Sequence, residues 1–184
     1  MRSIVLVSVF MSLLSTALKA QLAPPSADEI LKEAYKIADK EKKNVFVIFH
    51  ASWCVWCHKM DTSMNDPSCK QFFDDNYVIR HLIVDESADK KNQENPGAAE
   101  LRKKLDGEGQ GIPFWVVMDK KGKLLFDSRL KIENPASDAG AGQNIGCPAS
   151  ENEVGYFVNV LKKTSSLNDR QLEVIRQRFR ENDH

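Results

Sequence analysis

The run "NVFVIF", residues 44–49, limits what this chain can fold into more than any other stretch. Val45 to Phe49 are five apolar residues in succession, with two valines and an isoleucine among them. β-Branched side chains favour a pleated strand, and a strand without polar alternation has no face to give to water. It is expected to be buried on both faces, as the central strands of α/β sheets are. "HASWCVWCHKM" follows directly, so Cys54, Cys57 and His58 sit just beyond the end of a central strand.

Around that strand the hydrophobic period alternates. "PPSADEILKEAYKIADKEKK" reads as a helix: Ser26 and Glu29 make a capping box, and Ile30, Ala34, Ile37 and Ala38 recur at helical spacing. "CHKMDTSM" continues as helix after the cysteines, and "PSCKQFFDDN" restarts one with Pro67 in its first turn. "YVIRHLIVD" is a second strand, and "NPGAAELRKKLDGEGQG" a short helix stopped by glycines. "IPFWVVMDKKGKLLFD" reads as a hairpin, with Gly122 at the turn position that needs positive φ. Residues 128 to 149 are loop-like by composition, and a loop of that length inside a compact domain is usually functional. Ser150 and Glu153 form a second capping box before Val154, Phe157, Val158 and Leu161; Leu172, Ile175 and Phe179 stripe a last helix. Helix, strand, helix, strand, helix, hairpin, helix, helix is the order of an α/β layered architecture.

The opening "MRSIVLVSVFMSLLSTALKA" has Arg2, an apolar run from Ile4 to Leu14 broken only by serines, and small residues at Ala17 and Ala20. That is the pattern of a cleaved secretory signal, too short for a stable membrane span, and no cysteine follows the run to take a lipid. The mature protein is therefore expected in the periplasm or outside the cell, where disulfide chemistry is available. Basic and acidic residues number 26 each; without Arg2 and Lys19 the balance is 24 to 26, and no basic face points to nucleic acid. The expected organisation is a signal peptide at 1–20, one domain at 21–165 and a helical extension at 166–184, in a monomer.

Two cysteines two residues apart and followed by histidine serve three chemistries: a dithiol redox centre, c-type haem attachment, or half of a zinc site. A redox dithiol needs a thiolate near neutral pH, and the N-terminus of a helix lowers a thiol pKa through its unpaired N–H groups. Strand, short turn, then Cys54 at a helix start supplies that setting, and the spacing puts Cys57 one turn later. Trp53 would shield the pair. Haem c attachment is the main rival, but a haem needs a pocket on both faces, and the strand and hairpin leave the site covered. Zinc wants two further ligands at short spacing, and no second Cys-X-X-Cys or His pair is present. An inert structural bond fits poorly with a turn after a central strand, where disulfides tend to be labile.

"FHASWCVWCHKM" after an apolar strand, with "GIPFWVV" some way downstream, resembles the thioredoxin superfamily over about residues 26 to 165. The likeness is greatest to secreted and periplasmic thioredoxin-like proteins with a Trp-Cys-X-X-Cys centre. It implies a thioredoxin fold: a central mixed sheet of four to five strands flanked by helices, here with a long loop before the C-terminal helix and an extra helix at the end. It implies Cys54 and Cys57 as the catalytic pair, with Trp53, Trp56, Ile112 and Pro113 binding substrate. It further implies a cis Ile112–Pro113 bond lying against the pair, whose backbone takes a substrate chain as an added strand. No cofactor or metal is implied. Cysteine-containing exported proteins are the implied partners, with a membrane electron donor if the chain is a reductase.

The chain departs from thioredoxin itself at Val55 and Trp56, where that protein has Gly-Pro, and at Ile48, where it has a buried acid. Glu86 and Asp85 are the nearest candidates to replace that acid. His50 and His58 read as structural and surface residues, while Trp56 and Trp115 fit either an apolar platform or packing. Cys69 and Cys147 make an even cysteine count, compatible with a second disulfide or with two buried thiols. Two functions follow from these residues: a thiol–disulfide oxidoreductase, or a binding module of the same fold that holds clients without turnover.

Overall fold

A computed structural model describes residues 23–130 and 142–183; the expected signal peptide and the middle of the long loop fall outside these. The elements run α1 (Ala27–Glu41), β1 (Asn44–His50), α2 (Val55–Met64), α3 (Lys70–Asn76), β2 (Tyr77–Ile83), a 3-10 helix (Ala88–Gln93) and α4 (Ala98–Lys104). β3 (Phe114–Met118), β4 (Leu124–Asp127), β5 (Arg129–Leu130), β6 (Gln143–Asn144), α5 (Glu151–Thr164) and α6 (Asp169–Arg180) complete the order, before a final 3-10 turn. The main sheet has four strands in the order β2-β1-β3-β4. β1 runs parallel to β2 and antiparallel to β3, and β3 pairs antiparallel with β4. This is the mixed sheet that the thioredoxin resemblance implies.

All five residues from Val45 to Phe49 are buried. Strand alternation sends Phe46 and Ile48 to one face, where α2, α3, α5 and α6 pack, and Val45, Val47 and Phe49 to the other, against α1 and α4. The first face is rich in rings: Phe157 of α5 lies 5.4 Å from Trp115 and 4.8 Å from Phe179 of α6, centroid to centroid. Both capping boxes form, at Ser26 with Glu29 and at Ser150 with Glu153, and Asn168 with Gln171 makes a third. Gly122 closes the β3–β4 turn with φ 81.

Three sequence expectations shift. The buried stripe of α1 is Ala27, Leu31, Ala34 and Ala38, while Ile30 and Ile37 only flank it. Alanines at the contact let the helix lie close to the sheet, and the isoleucines reach around its margin. Pro67 precedes α3 rather than starting it; Asp66 turns the chain instead, its carbonyl accepting from Cys69 N and Lys70 N at 3.0 and 2.8 Å. Segment 128–149 is not loop throughout. β5 and β6 pair antiparallel, Ser128 N donates to Trp115 O at 2.8 Å, and Ile145 N donates to Ser128 O at 2.9 Å. Both ends of the segment are thus paired, Ser128 with β3 and Ile145 with Ser128, as backbone groups away from water must be.

Phe179 is fully buried although it lies near the chain end. Phe179→Ala should therefore destabilise the whole protein by about 3–5 kcal/mol. In urea unfolding followed by tryptophan fluorescence, the single transition should move to lower denaturant; an unchanged midpoint would mean that α6 is not part of the core.

Candidate active site

β1 ends at His50, and a turn through Ala51, Ser52 and Trp53 delivers Cys54 to the N-cap of α2. Cys54 N donates to Ala51 O at 3.1 Å, and Cys57 N donates to Cys54 Sγ at the same distance. One first-turn N–H of the helix, that of Cys57, thus points at the Cys54 sulfur. Cys54 and Cys57 are joined as a disulfide. The Ile112–Pro113 peptide is cis, and Ile112 O lies 3.6 Å from Cys54 Sγ.

In this oxidised form both cysteines are nearly covered, 3% exposed for Cys54 and 1% for Cys57, so exposure barely separates them. Position does: Cys54 caps the helix and Cys57 lies inside it. Around them stands an exposed apolar rim of Trp53, Val55 and Trp56, of which Val55 was not anticipated. Lys59 Nζ sits over the Trp56 ring, 4.5 Å from its centroid. Trp115, by contrast, is fully buried, with its Nε1 donating to Gly146 O at 2.9 Å, so it belongs to the core.

The turn is held from beneath by groups distant in sequence. The Glu86 carboxylate accepts from Ser52 N and, at 2.9 Å, from Ser52 Oγ. Burial works to raise the Glu86 pKa, but the two bonds from Ser52, with Lys90 and His50 nearby, outweigh it and hold the carboxyl below the usual glutamate range. Trp53 Nε1 donates to Asp85 O at 2.8 Å, and the Asp85 carboxylate takes both terminal nitrogens of Arg102 at 2.6 and 3.1 Å. Both residues therefore position the turn, Glu86 through its carboxylate on Ser52 and Asp85 through its carbonyl on Trp53, while Arg102 holds the Asp85 carboxylate.

A groove of about 240 Å³ runs beside Pro113, walled by Trp56, Ile112, Asn144, Ile145 and Cys147. Asn144 is a residue that sequence reading passed over. Its Nδ2 donates to Gly111 O at 2.6 Å and to Pro113 O at 3.2 Å, while its Oδ1 accepts from Gly146 N at 3.1 Å. Nothing in a glycine-rich segment marks one asparagine as a clamp, since its partners are about thirty residues away in sequence. Cys69 and Cys147 are buried and unpaired. Burial pushes their thiols up, to about 11 and about 12, so both stay protonated. His58, the ligand that haem attachment would require, instead places its Nε2 3.0 Å from Ser52 O.

A family model described as thioredoxin-like matches residues 27–120, just over half of the chain, and takes in both the cysteine pair and Pro113. The chain belongs to the thioredoxin-like family. With the Cys54–Cys57 pair intact, this thioredoxin-like chain is a thiol–disulfide oxidoreductase. No curated protein matches it significantly. Among solved structures it is similar to a disulphide isomerase from Xylella fastidiosa Temecula1, at 18% identity over 86% of this chain and 92% of that one, with a TM-score of 0.48. A DsbH oxidoreductase matches at 21% identity over 79% of this chain and 88% of that one, TM-score 0.44. An exposed lipoprotein thioredoxin of Streptococcus pneumoniae strain TIGR4 matches at 18% identity over 53% and 82%, TM-score 0.34.

Because the folded state holds Glu86 below its ordinary pKa, the carboxylate contributes stability that is present above the usual glutamate range and lost as pH falls through the folded value. Glu86→Gln should be less stable than the parent at neutral pH, and the gap should narrow in acid as the parent carboxylate protonates. Urea unfolding of both proteins at several pH values between neutral and acid checks this; a gap independent of pH would contradict it.

Proposed function

We propose that this thioredoxin-like chain reduces or exchanges disulfide bonds in exported, cysteine-containing proteins, in the periplasm or outside the cell. The observation that carries the reading is the Cys54 sulfur at the N-cap of α2, accepting the Cys57 N–H at 3.1 Å. In the reduced form the same N–H, with the positive end of the helix dipole, favours a Cys54 thiolate, the species that attacks a disulfide. Cys54 forms a mixed disulfide with one substrate sulfur and expels the other; Cys57, one turn along the helix, then attacks Cys54 and frees the substrate. Two electrons pass from the dithiol to the substrate, and the Cys54–Cys57 disulfide is what remains.

Substrate meets Trp53, Trp56, Ile112 and Pro113. The exposed indoles of Trp53 and Trp56 give an apolar landing for a partly unfolded client. The backbone at Ile112, beside Cys54, suits an extended peptide added in strand fashion. The Arg2-led apolar start of the sequence supports an exported location, and working there as a reductase calls for a membrane electron donor.

Trapping tests the assignment. Cys57→Ser should accumulate mixed disulfides with client proteins on non-reducing gels, and Cys54→Ser should accumulate none; the reverse pattern would exchange the two roles. Insulin reduction with dithiothreitol as donor should fall to the uncatalysed rate in Cys54→Ser. Equal rates for parent and variant would leave a binding module without turnover.

A further inference from the structure

β3 is paired along both edges, and the pairing ends differently on each. Toward β1 it stops where Phe114 stands opposite Phe49. Toward β4 it goes further. Val116 stands opposite Asp127, and Trp115 then meets Ser128, whose N–H donates to Trp115 O at 2.8 Å and whose Oγ accepts from Trp115 N at 3.1 Å. Beyond Ser128 a side chain continues that edge: Asn144 Nδ2 donates to Pro113 O at 3.2 Å and to Gly111 O at 2.6 Å. Trp115, Pro113 and Gly111 are alternate residues and turn polar groups to one side. Ile112, between the last two, turns its carbonyl the other way, to 3.6 Å from Cys54 Sγ. Among the described residues the Ile112 N–H donates to no group. The open edge at Ile112 thus faces the reactive sulfur, and Asn144 holds the chain from behind.

We propose that Asn144 is a positioning residue for disulfide exchange, holding Ile112 ready to pair with the backbone of an incoming chain. The inference rests on the oxidoreductase reading and deepens it: the site favours a disulfide carried on an extended peptide over one with no backbone. The stretch before Ile112 is rich in glycine, with Gly107, Gly109 and Gly111, and glycine loses more freedom on being fixed than any other residue. Within it Gln110 N donates to Gly107 O at 3.2 Å, and Asn144 supplies the next bonds. A segment ordered beforehand costs less to bind than one that the substrate must order. An asparagine amide has two N–H donors, one for each carbonyl.

Asn144 is itself fixed by the sheet. It stands opposite Arg129 across β5 and β6, and the Arg129 guanidinium donates to the Asp127 carboxylate at 3.1 and 2.7 Å. Asn144 Oδ1 accepts from Gly146 N at 3.1 Å, which sets the amide with its donors toward Gly111 and Pro113. The clamp therefore hangs on β4 and leaves the helix of the cysteines alone, so its loss should alter peptide capture more than the reactivity of the sulfurs.

Two reagents with one leaving group separate these effects: a peptide whose single cysteine carries nitrothiobenzoate, and the symmetrical nitrothiobenzoate disulfide. With the peptide, the Cys54 thiolate bonds to the peptide sulfur and nitrothiobenzoate leaves as a coloured thiolate. Cys57 then bonds to Cys54 Sγ, and the peptide leaves as a thiol. Asn144→Asp keeps the size of the side chain and the acceptor for Gly146 N but has no donor for the carbonyls. In stopped-flow measurements with reduced protein, its rate on the peptide relative to the symmetrical disulfide should fall about tenfold, chiefly as a higher half-saturating concentration. Asn144→Ala should lower the ratio likewise. A new charge beside Cys54 would slow both reagents alike, and an unchanged ratio in the two variants would overturn the proposal. Release of no nitrothiobenzoate from either reagent by the parent would instead overturn the oxidoreductase reading. One measurement leaves Asn144 in place. In Cys57→Ser, hydrogen exchange at Ile112 N followed by NMR should be about tenfold slower with the peptide on Cys54 than with nitrothiobenzoate there. Equal exchange in the two adducts would overturn the pairing at Ile112.

Discussion

β1 is closed on all four sides. β2 and β3 take its two edges, and helices cover both faces of Val45 to Phe49. A strand so enclosed cannot slip by one residue without carrying its neighbours along, because every side chain would change face. Its end is therefore a fixed point. His50 is the first polar residue beyond the five apolar ones, and the helix carrying the cysteines starts five residues after it. Chemistry begins where the dry strand stops.

The turn from Ala51 to Cys54 depends on polar groups from the segment that follows β2. Glu86 grips Ser52, and the Asp85 carbonyl anchors the indole of Trp53 while Arg102 holds the Asp85 carboxylate. Such bonds at a part-covered site gain strength from the lower local dielectric, so they fix the turn while leaving the Trp53 ring exposed. The Cys57 N–H at the helix start then meets sulfur rather than water.

The opposite wall of the site comes from late in the chain. Asn144 ties together the carbonyls of Gly111 and Pro113, and Gly146 receives the indole N–H of Trp115. Asn182, close to the C-terminus, accepts from Ser63 of α2 at 3.1 Å and donates to Pro148 O at 3.2 Å. The wall of the groove, α2 and the end of the chain are thereby one hydrogen-bonded unit. Cys147 lies within it as a small buried side chain, its sulfur accepting from Asn182 Nδ2 at 3.4 Å.

Much of the architecture was legible because local patterns and burial agreed. The unbroken apolar run marked the central strand, capping boxes marked the starts of α1 and α5, and Gly122 marked the hairpin turn. The cysteine pair and Ile112–Pro113 were legible as motifs, since both depend on short spacings in the chain. The buried face of α1 was misjudged, because helical period alone cannot tell whether Ile30 or Leu31 meets the sheet. The 128–149 segment read as loop, because two-residue strands and their partners carry no period at all. By itself, then, the sequence determined the order of elements and placed the cysteine pair at a helix start, which are consequences of hydrophobic period and backbone preference. Only the tertiary structure decided which acids brace the turn and which asparagine clamps Pro113. Hydrogen bonds between groups far apart in the chain are set by where the packed core brings them, and the core forms without leaving a local signal at those residues.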